Sequence, residues 1–195
     1  MDDERITKME QTIWVARSLF ERGKAAGSAA NISFRHMDRI YISGSGSCFG
    51  NLSRESFAVM DLEGKHMDGP KPSKEFPLHR LLYVHKDVGA VLHTHSFYAT
   101  LWSCLDHEDG KLQDVIPSHT PYLRMKVGRI GIVPYAPPGS EELFDVFGKC
   151  LDKSDGYLLA NHGSVIGGKD ILEAFYGMEE LEEAARIAWY LRKSV

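Results

Sequence analysis

Helix-period and strand-period patterns alternate along all 195 residues. This predicts one layered α/β domain with a mixed sheet. Three observations carry the expectation. Amphipathic helices occupy both ends; short apolar runs bounded by Gly, Pro and Asp fill the middle; and neighbouring runs lie close enough to pair as hairpins. No repeat, low-complexity tract or linker divides the chain, so residues 1–195 are expected to form a single domain.

In chain order, residues 4–22 set Ile6, Met9, Ile13, Ala16 and Phe20 on one helical stripe, with Gly23 as a stop. Residues 31–35 and 39–42 read as short strands joined by a turn at Met37 and Asp38. A Gly/Ser loop follows at 43–47, then a strand at 57–61 that turns at Glu63-Gly64. Lys71-Pro72-Ser73 leads into a helix over 74–85, where Pro77 is tolerable because it falls in the first turn. A strand at 88–95 runs into a helix from Ser96, and short apolar strands are expected at 131–134 and 157–161. The last helix starts at Asp170, with Glu173 completing a capping box and Ile171, Phe175, Met178, Leu181 and Ala185 facing inward.

The bulk numbers exclude several classes. A net charge of −4 and a pI near 6.1 give no footprint for nucleic acid or acidic lipid. The longest stretch free of Asp, Glu, Lys and Arg, 88–105, contains His93, Thr94, His95, Ser96 and Ser103, which argues against a membrane span. Cys48, Cys104 and Cys150 are odd in number and form no C-x-x-C pair. With an acidic N-terminus lacking an apolar stretch, they point to a reducing, cytoplasmic setting.

Two constellations carry chemistry. In Val91-Leu92-His93-Thr94-His95, strand alternation puts His93 and His95 on one face, where two imidazoles can converge on one ion. His162 ends the apolar run from Tyr157 and supplies a third ligand. Three His and an open position form a catalytic ligand set for one divalent ion, expected to be zinc. The alternative is a set of polar core histidines. The remaining histidines (His36, His66, His79, His85, His107, His119) show no partner pattern and read as surface or helix-packing residues.

The second constellation is anionic in its preference. Ser73 is a good N-cap residue, so the amides of Lys74, Glu75 and Phe76 are expected to point at one spot, with the Lys74 charge beside them. The 43–47 loop can add amides in a nest around Ser45 and Gly46. Together they suggest a phosphate site; plain helix capping and a hairpin turn are the alternatives. Glu75 sits beside these donors. It is either a charge on the helix dipole or a group that moves protons.

Five motifs in order resemble the class II aldolase/adducin family over roughly residues 5–190. They are N-I-S-x-R at 31–35, G-S-G at 44–46, P-S-x-E at 72–75, H-x-H at 93–95 and L-L-x-N-H-G at 158–163. The runs Gly46-Ser47-Cys48-x-Gly50-Asn51-Leu52, Lys71-Pro72-Ser73-Lys74-Glu75 and Thr120-Pro121-Tyr122 are most similar to its 3-oxo-tetronate 4-phosphate decarboxylase branch. So is the tail from Met178 to Glu183. Sugar-phosphate aldolases commonly carry a second serine where Lys74 stands.

The resemblance implies a three-layer α/β/α fold with a mostly antiparallel sheet. It also implies a homotetramer with active sites at subunit interfaces. It assigns phosphate binding to Asn31, Ser45, Gly46, Ser73 and Lys74, and metal binding to His93, His95 and His162. Acid/base work falls to Glu75, and Tyr122 matches a tyrosine that the aldolases contribute from a neighbouring subunit. The implied substrate is a phosphorylated sugar acid. Decarboxylation and retro-aldol cleavage both leave an enediolate of dihydroxyacetone phosphate, which Glu75 would protonate. A sugar-phosphate aldolase, epimerase or dehydratase, and a non-catalytic adducin-like interaction domain, are the alternatives.

Overall fold

The computed structural model describes residues 3–107 and 113–192; the ends of the expected 1–195 domain and residues 108–112 lie outside them. The chain opens with α1 (Asp3–Glu21), which buries Met9, Val15, Ala16 and Leu19. The apolar stripe is turned by a position or two from the expected one. Ile13 is only half-buried, and the Phe20 ring covers Gly50, where a Cβ would sit 2.6 Å from it.

Eight strands follow: β1 (Asn31–His36), β2 (Arg39–Ser43), β3 (Phe57–Asp61), β4 (His66–Asp68), β5 (Ala90–Thr94), β6 (Ile130–Val133), β7 (Gly156–Leu159) and β8 (Gly163–Gly168). They form one sheet in the order β4-β3-β2-β1-β5-β8-β7-β6. Every pairing is antiparallel except β6 with β7. The expected turns hold, with Met37 at φ 53° and Gly64 at φ 99°. Two strands escaped the sequence reading. β8 is half glycine and shows no strand period, and β4 is a three-residue edge strand with every residue exposed.

Helices cover both faces. Ile32, Phe34, Leu92 and Ile166 pack with α1 and α6 (Ile171–Leu191), with α3 (Phe97–Ser103) beside them. Ile42, Val91, Leu159 and Val165 pack with α2 (Phe76–His85) and α5 (Glu141–Gly148). This is the three-layer α/β/α arrangement. Asp170 caps α6 as expected, accepting from the Glu173 amide at 2.8 Å. The Glu173 carboxylate, however, takes the Lys169 amide, not that of Asp170.

Burial is worth about 1.5–3 kcal/mol for each apolar side chain removed from water. Leu92 and Val91 anchor β5 from opposite faces, as Leu158 and Leu159 anchor β7. Antiparallel pairing then brings the C-terminal ends of β2, β5 and β7 to the same edge as the N-terminal ends of β1 and β8. Asn31, Ser43, His93 and His162 therefore gather at one end of a rigid sheet.

Candidate active site

β5 points Val91 and His93 toward the α2 face. His93 is fully buried, and its Nδ1 lies 2.9 Å from the carbonyl of Ser164 on β8. A carbonyl only accepts, so Nδ1 carries the proton and Nε2 presents a lone pair. That lone pair lies 3.0 Å from His95 Nε2, just past the strand end. His162 arrives from the turn between β7 and β8. Asn161 makes this turn with φ 55°, a left-handed conformation that asparagine tolerates better than most residues, and its amide donates to Ser103 O at 2.9 Å. The strand expected over 157–161 thus ends at Leu159. Gly163 allows the close approach: a Cβ there would lie 2.5 Å from Thr94 O and 2.8 Å from His95 Cδ2.

The three rings meet edge-to-face at 4.8–4.9 Å, and their donor nitrogens lie within 4.8 Å of one another. Burial holds all three imidazoles below their usual pKa. Neighbouring His95 and His162 lower His93 further, while the Glu75 charge partly opposes the effect at His95 and His162. Neutral rings leave lone pairs for a cation. The fit is sharpened by Glu75. Its Oε2 lies 3.3 Å from His93 Nε2 and its Oε1 3.3 Å from His162 Nε2. With the His93 proton on Nδ1, the first contact sets one lone pair against another, which is repulsive unless a cation lies nearby. The residues therefore fit a divalent ion.

Glu75 occupies the N-cap position of α2 but makes no side-chain capping bond. Its carboxylate is 4% exposed and accepts from Asn31 Nδ2 at 2.9 Å. The carboxylate is turned into the site and not onto the end of the helix. The helix begins at Phe76, two residues later than expected. The cause is tertiary: Pro72 bridges to Gly44, and the Ser73 amide donates to Ser43 O, holding this segment extended along β2.

The expected cluster of amides is correspondingly reduced. The Glu75 amide donates to Ser73 Oγ at 3.3 Å and the Phe76 amide to Ser73 O at 3.1 Å. The expected nest in the 43–47 loop changes in the same way. The Ser45 amide donates to Lys71 O and the Ser47 amide to Gly44 O. Among the described residues, the amides of Gly46 and Lys74 have no protein acceptor.

These residues surround a pocket of about 560 Å³, which Asn31, Ser45, Gly46, Ser73, Lys74 and Glu75 share with His95 and His162. Lys74 reaches across it, with Nζ 3.4 Å from Pro138 O and its stem over Gly139. Asn31 lines the pocket, yet its carboxamide is engaged by Glu75 and by His79 Nε2 at 2.5 Å. Tyr122 is not brought to this pocket; it is 56% exposed on α4 (Tyr122–Lys126).

Three residues escaped the sequence reading. His79, expected to pack a helix or face solvent, is fully buried behind Asn31. Its place one helical turn after Glu75 was the available signal. Asn161 and Pro138 line the pocket from loops that no periodicity marks.

The family profile for the Class II Aldolase and Adducin N-terminal domain matches residues 10–189. The chain belongs to this family. It is 38% identical over 189 residues to the 3-oxo-tetronate 4-phosphate decarboxylase of Haemophilus influenzae, covering 96% of this chain and 89% of that one. It is 39% identical over 184 residues to the L-fuculose phosphate aldolase of Methanococcus maripaludis, covering 94% and 97%. Among solved structures, YgbL of Klebsiella pneumoniae, whose description leaves aldolase, epimerase and decarboxylase open, superposes with a TM-score of 0.90. It is 36% identical, with 97% and 91% of the two chains covered.

Proposed function

We propose that this chain is a metal-dependent carbon–carbon lyase that decarboxylates a phosphorylated 3-oxo-tetronate to dihydroxyacetone phosphate and carbon dioxide. The observation that carries the reading is the Glu75 carboxylate. It is free of helix capping, anchored by Asn31, and faces a polar pocket beside three convergent imidazoles. The names of the decarboxylases that are 38% identical over nearly the whole chain support the substrate class.

His93, His95 and His162 would hold the divalent ion, with zinc the best match to three imidazoles. When bound, it supplies Lewis acidity toward a ketone oxygen. The chain's own residues do the rest. The Ser45 and Ser73 hydroxyls, the Gly46 and Lys74 amides and the Lys74 ammonium receive the phosphate and orient the substrate. Asn31 contributes to this wall of the pocket. As the bond to the carboxylate carbon breaks, its electron pair enters the enediolate and carbon dioxide leaves. Glu75 then delivers one proton to the former α-carbon and recovers one from water.

Tyr122, exposed and outside its own chain's pocket, suits a role in a neighbouring subunit's site within a homotetramer. No helix among the described residues is long and apolar enough to cross a membrane. The cysteines are free, in keeping with a cytoplasmic enzyme.

The test follows carbon dioxide and dihydroxyacetone phosphate together from a 3-oxo-tetronate 4-phosphate. Equal release of both supports the reading; the absence of carbon dioxide would end it. Aldol cleavage of a sugar phosphate is the second reading, favoured by the equally similar fuculose phosphate aldolases. It would show itself by release of an aldehyde.

A further inference from the structure

We propose that His79 is a positioning residue for Glu75. It acts through Asn31, so that one carboxylate oxygen is anchored and the other is left to exchange the proton. The inference rests on the reading of Glu75 as the proton-transfer group.

The geometry is a buried chain of four hydrogen bonds. Asn31 Nδ2 donates to Glu75 Oε2 at 2.9 Å, and Asn31 Oδ1 lies 2.5 Å from His79 Nε2. On the other side of the ring, His79 Nδ1 lies 2.7 Å from Ser33 Oγ, which lies 2.8 Å from the Tyr83 hydroxyl. All five residues are buried, Ser33 and His79 completely.

The direction of every bond follows from the groups themselves. A carboxylate only accepts, so the Asn31 amide nitrogen must face it. The Asn31 oxygen then faces His79 and can only accept, so His79 Nε2 carries the proton. A neutral ring has a lone pair at Nδ1, so Ser33 donates there and Tyr83 donates to Ser33. Burial, together with the nearby His93, lowers the His79 pKa to about 3, against the opposing Glu75 charge. The ring is therefore neutral at any working pH. Burial also raises the Tyr83 pKa and keeps its phenol protonated, although its Ser33 contact opposes the shift.

The result is a polarised chain with every donor directed toward Glu75 Oε2. Reversing it would require turning the Asn31 amide and moving the His79 proton. Oε1 lies at the other side of the carboxylate, beside His162 Nε2 at 3.3 Å. Proton exchange is thereby confined to one oxygen and to one face of the substrate carbon. A network serving only as core filling would have no reason to end on the carboxylate of the site. Nor would it engage both ends of Asn31, whose strand register sets it directly across from His93.

The partial reaction that reads this out is hydrogen exchange on dihydroxyacetone phosphate. Glu75 Oε1 takes a proton from the hydroxymethyl carbon. The C–H pair becomes the enediolate π bond, and the ketone π pair settles on oxygen. The reverse step returns a deuteron in deuterium oxide. This half-reaction needs neither carbon dioxide nor an aldehyde, so it separates the role of His79 from the identity of the substrate.

The experiment measures the rate and facial selectivity of deuterium entry by NMR, with kcat and KM for decarboxylation, thermal melting and metal content. Wild type should exchange one prochiral hydrogen. His79→Leu should slow exchange and kcat by about 10- to 100-fold, since a small displacement of a reacting group costs that much. It should blur the facial selectivity while leaving KM and metal content unchanged. His79→Gln keeps a donor for Asn31 and an acceptor for Ser33 and should recover most of the loss.

A folded, metal-loaded His79→Leu enzyme with wild-type exchange rate and selectivity overturns the proposal. So does a change confined to KM. If His79→Leu does not fold, Asn31→Ala removes the same link from the pocket side, and wild-type exchange in that variant overturns the proposal equally. Wild-type enzyme that exchanges deuterium but releases no carbon dioxide would remove the substrate reading and leave the positioning role intact.

Discussion

The two walls of the pocket are built differently. The histidine wall stands on strand ends and on the turn between β7 and β8. Its side chains are mostly buried, the His93 tautomer is fixed by Ser164 O, and glycine allows contact at Gly163. The opposite wall is made of the 43–47 loop, the 71–74 segment and the 137–139 turn, whereas Glu75, tied to Asn31 on β1, faces the histidines. Lys74 on the opposite wall is exposed, with its ammonium 3.4 Å from Pro138 O. The contrast teaches a division of labour. Groups that must be placed to a fraction of an ångström stand on the sheet, and groups that recognise charge stand on loops that can adjust.

The division can be broken from its rigid side first. His162→Ala should release the metal and bring turnover below detection, checked by metal analysis of purified protein. Full metal occupancy in this variant would sink the ligand assignment. Glu75→Gln keeps size and hydrogen bonding but removes proton exchange. It should retain metal and lose about 10²- to 10⁴-fold in turnover. Wild-type turnover would move the acid/base role to another group.

The loop wall should answer differently. Lys74→Ala removes one charge-assisted contact and should lower kcat/KM by about 10- to 100-fold, mainly through KM. A dephosphorylated substrate should make the wild type behave like this variant. A fall in kcat alone would place Lys74 at the reacting carbon and erase the distinction between the walls.

The same contrast explains what could be read from sequence. Strand alternation put His93 and His95 together because the period of two survives in any buried strand. The apolar run before His162 marked the third histidine, which the fold brings beside the other two. The loop wall was misread in detail. Which amides remain free depends on the Gly44–Pro72 bridge and on the Ser45–Lys71 bond, contacts between segments that no local pattern encodes. Ser73 as a helix cap was the plainest case. A local preference gave way to a tertiary bridge, and the helix moved to Phe76. His79 was missed because its spacing from Glu75 does not by itself reveal the burial and the Asn31 contact that make it important.

Buried histidines also set the acid response, a moderate effect. The unfolded chain binds a proton at His79 below about pH 6.5, whereas the folded pKa is about 3. Between those values the unfolded state holds more protons, so stability falls with acid by up to about 1.4 kcal/mol per pH unit for this residue. Above pH 6.5 neither state binds the proton, and the dependence vanishes. Urea unfolding of metal-free protein across this window should show a shallower slope in His79→Gln than in wild type. Identical slopes would mean that the ring is protonated in the fold.

The smallest effect belongs to Asn161, which joins the two walls. Its φ of 55° is needed to turn the chain from β7 into β8 and present His162. A left-handed residue other than glycine costs about 1–2 kcal/mol, less for asparagine, which adopts this conformation more readily. Glycine removes that strain but frees the unfolded chain by about 0.4–1 kcal/mol, so the two terms nearly cancel. Asn161→Gly should therefore leave the urea midpoint of the metal-free protein close to wild type. Alanine keeps the left-handed strain without asparagine's tolerance for it, so Asn161→Ala should be less stable by about 1 kcal/mol. If the glycine variant, which keeps this backbone conformation, lost metal affinity as fully as the alanine variant, the Asn161 side chain itself, and not its backbone conformation, would hold His162 in place.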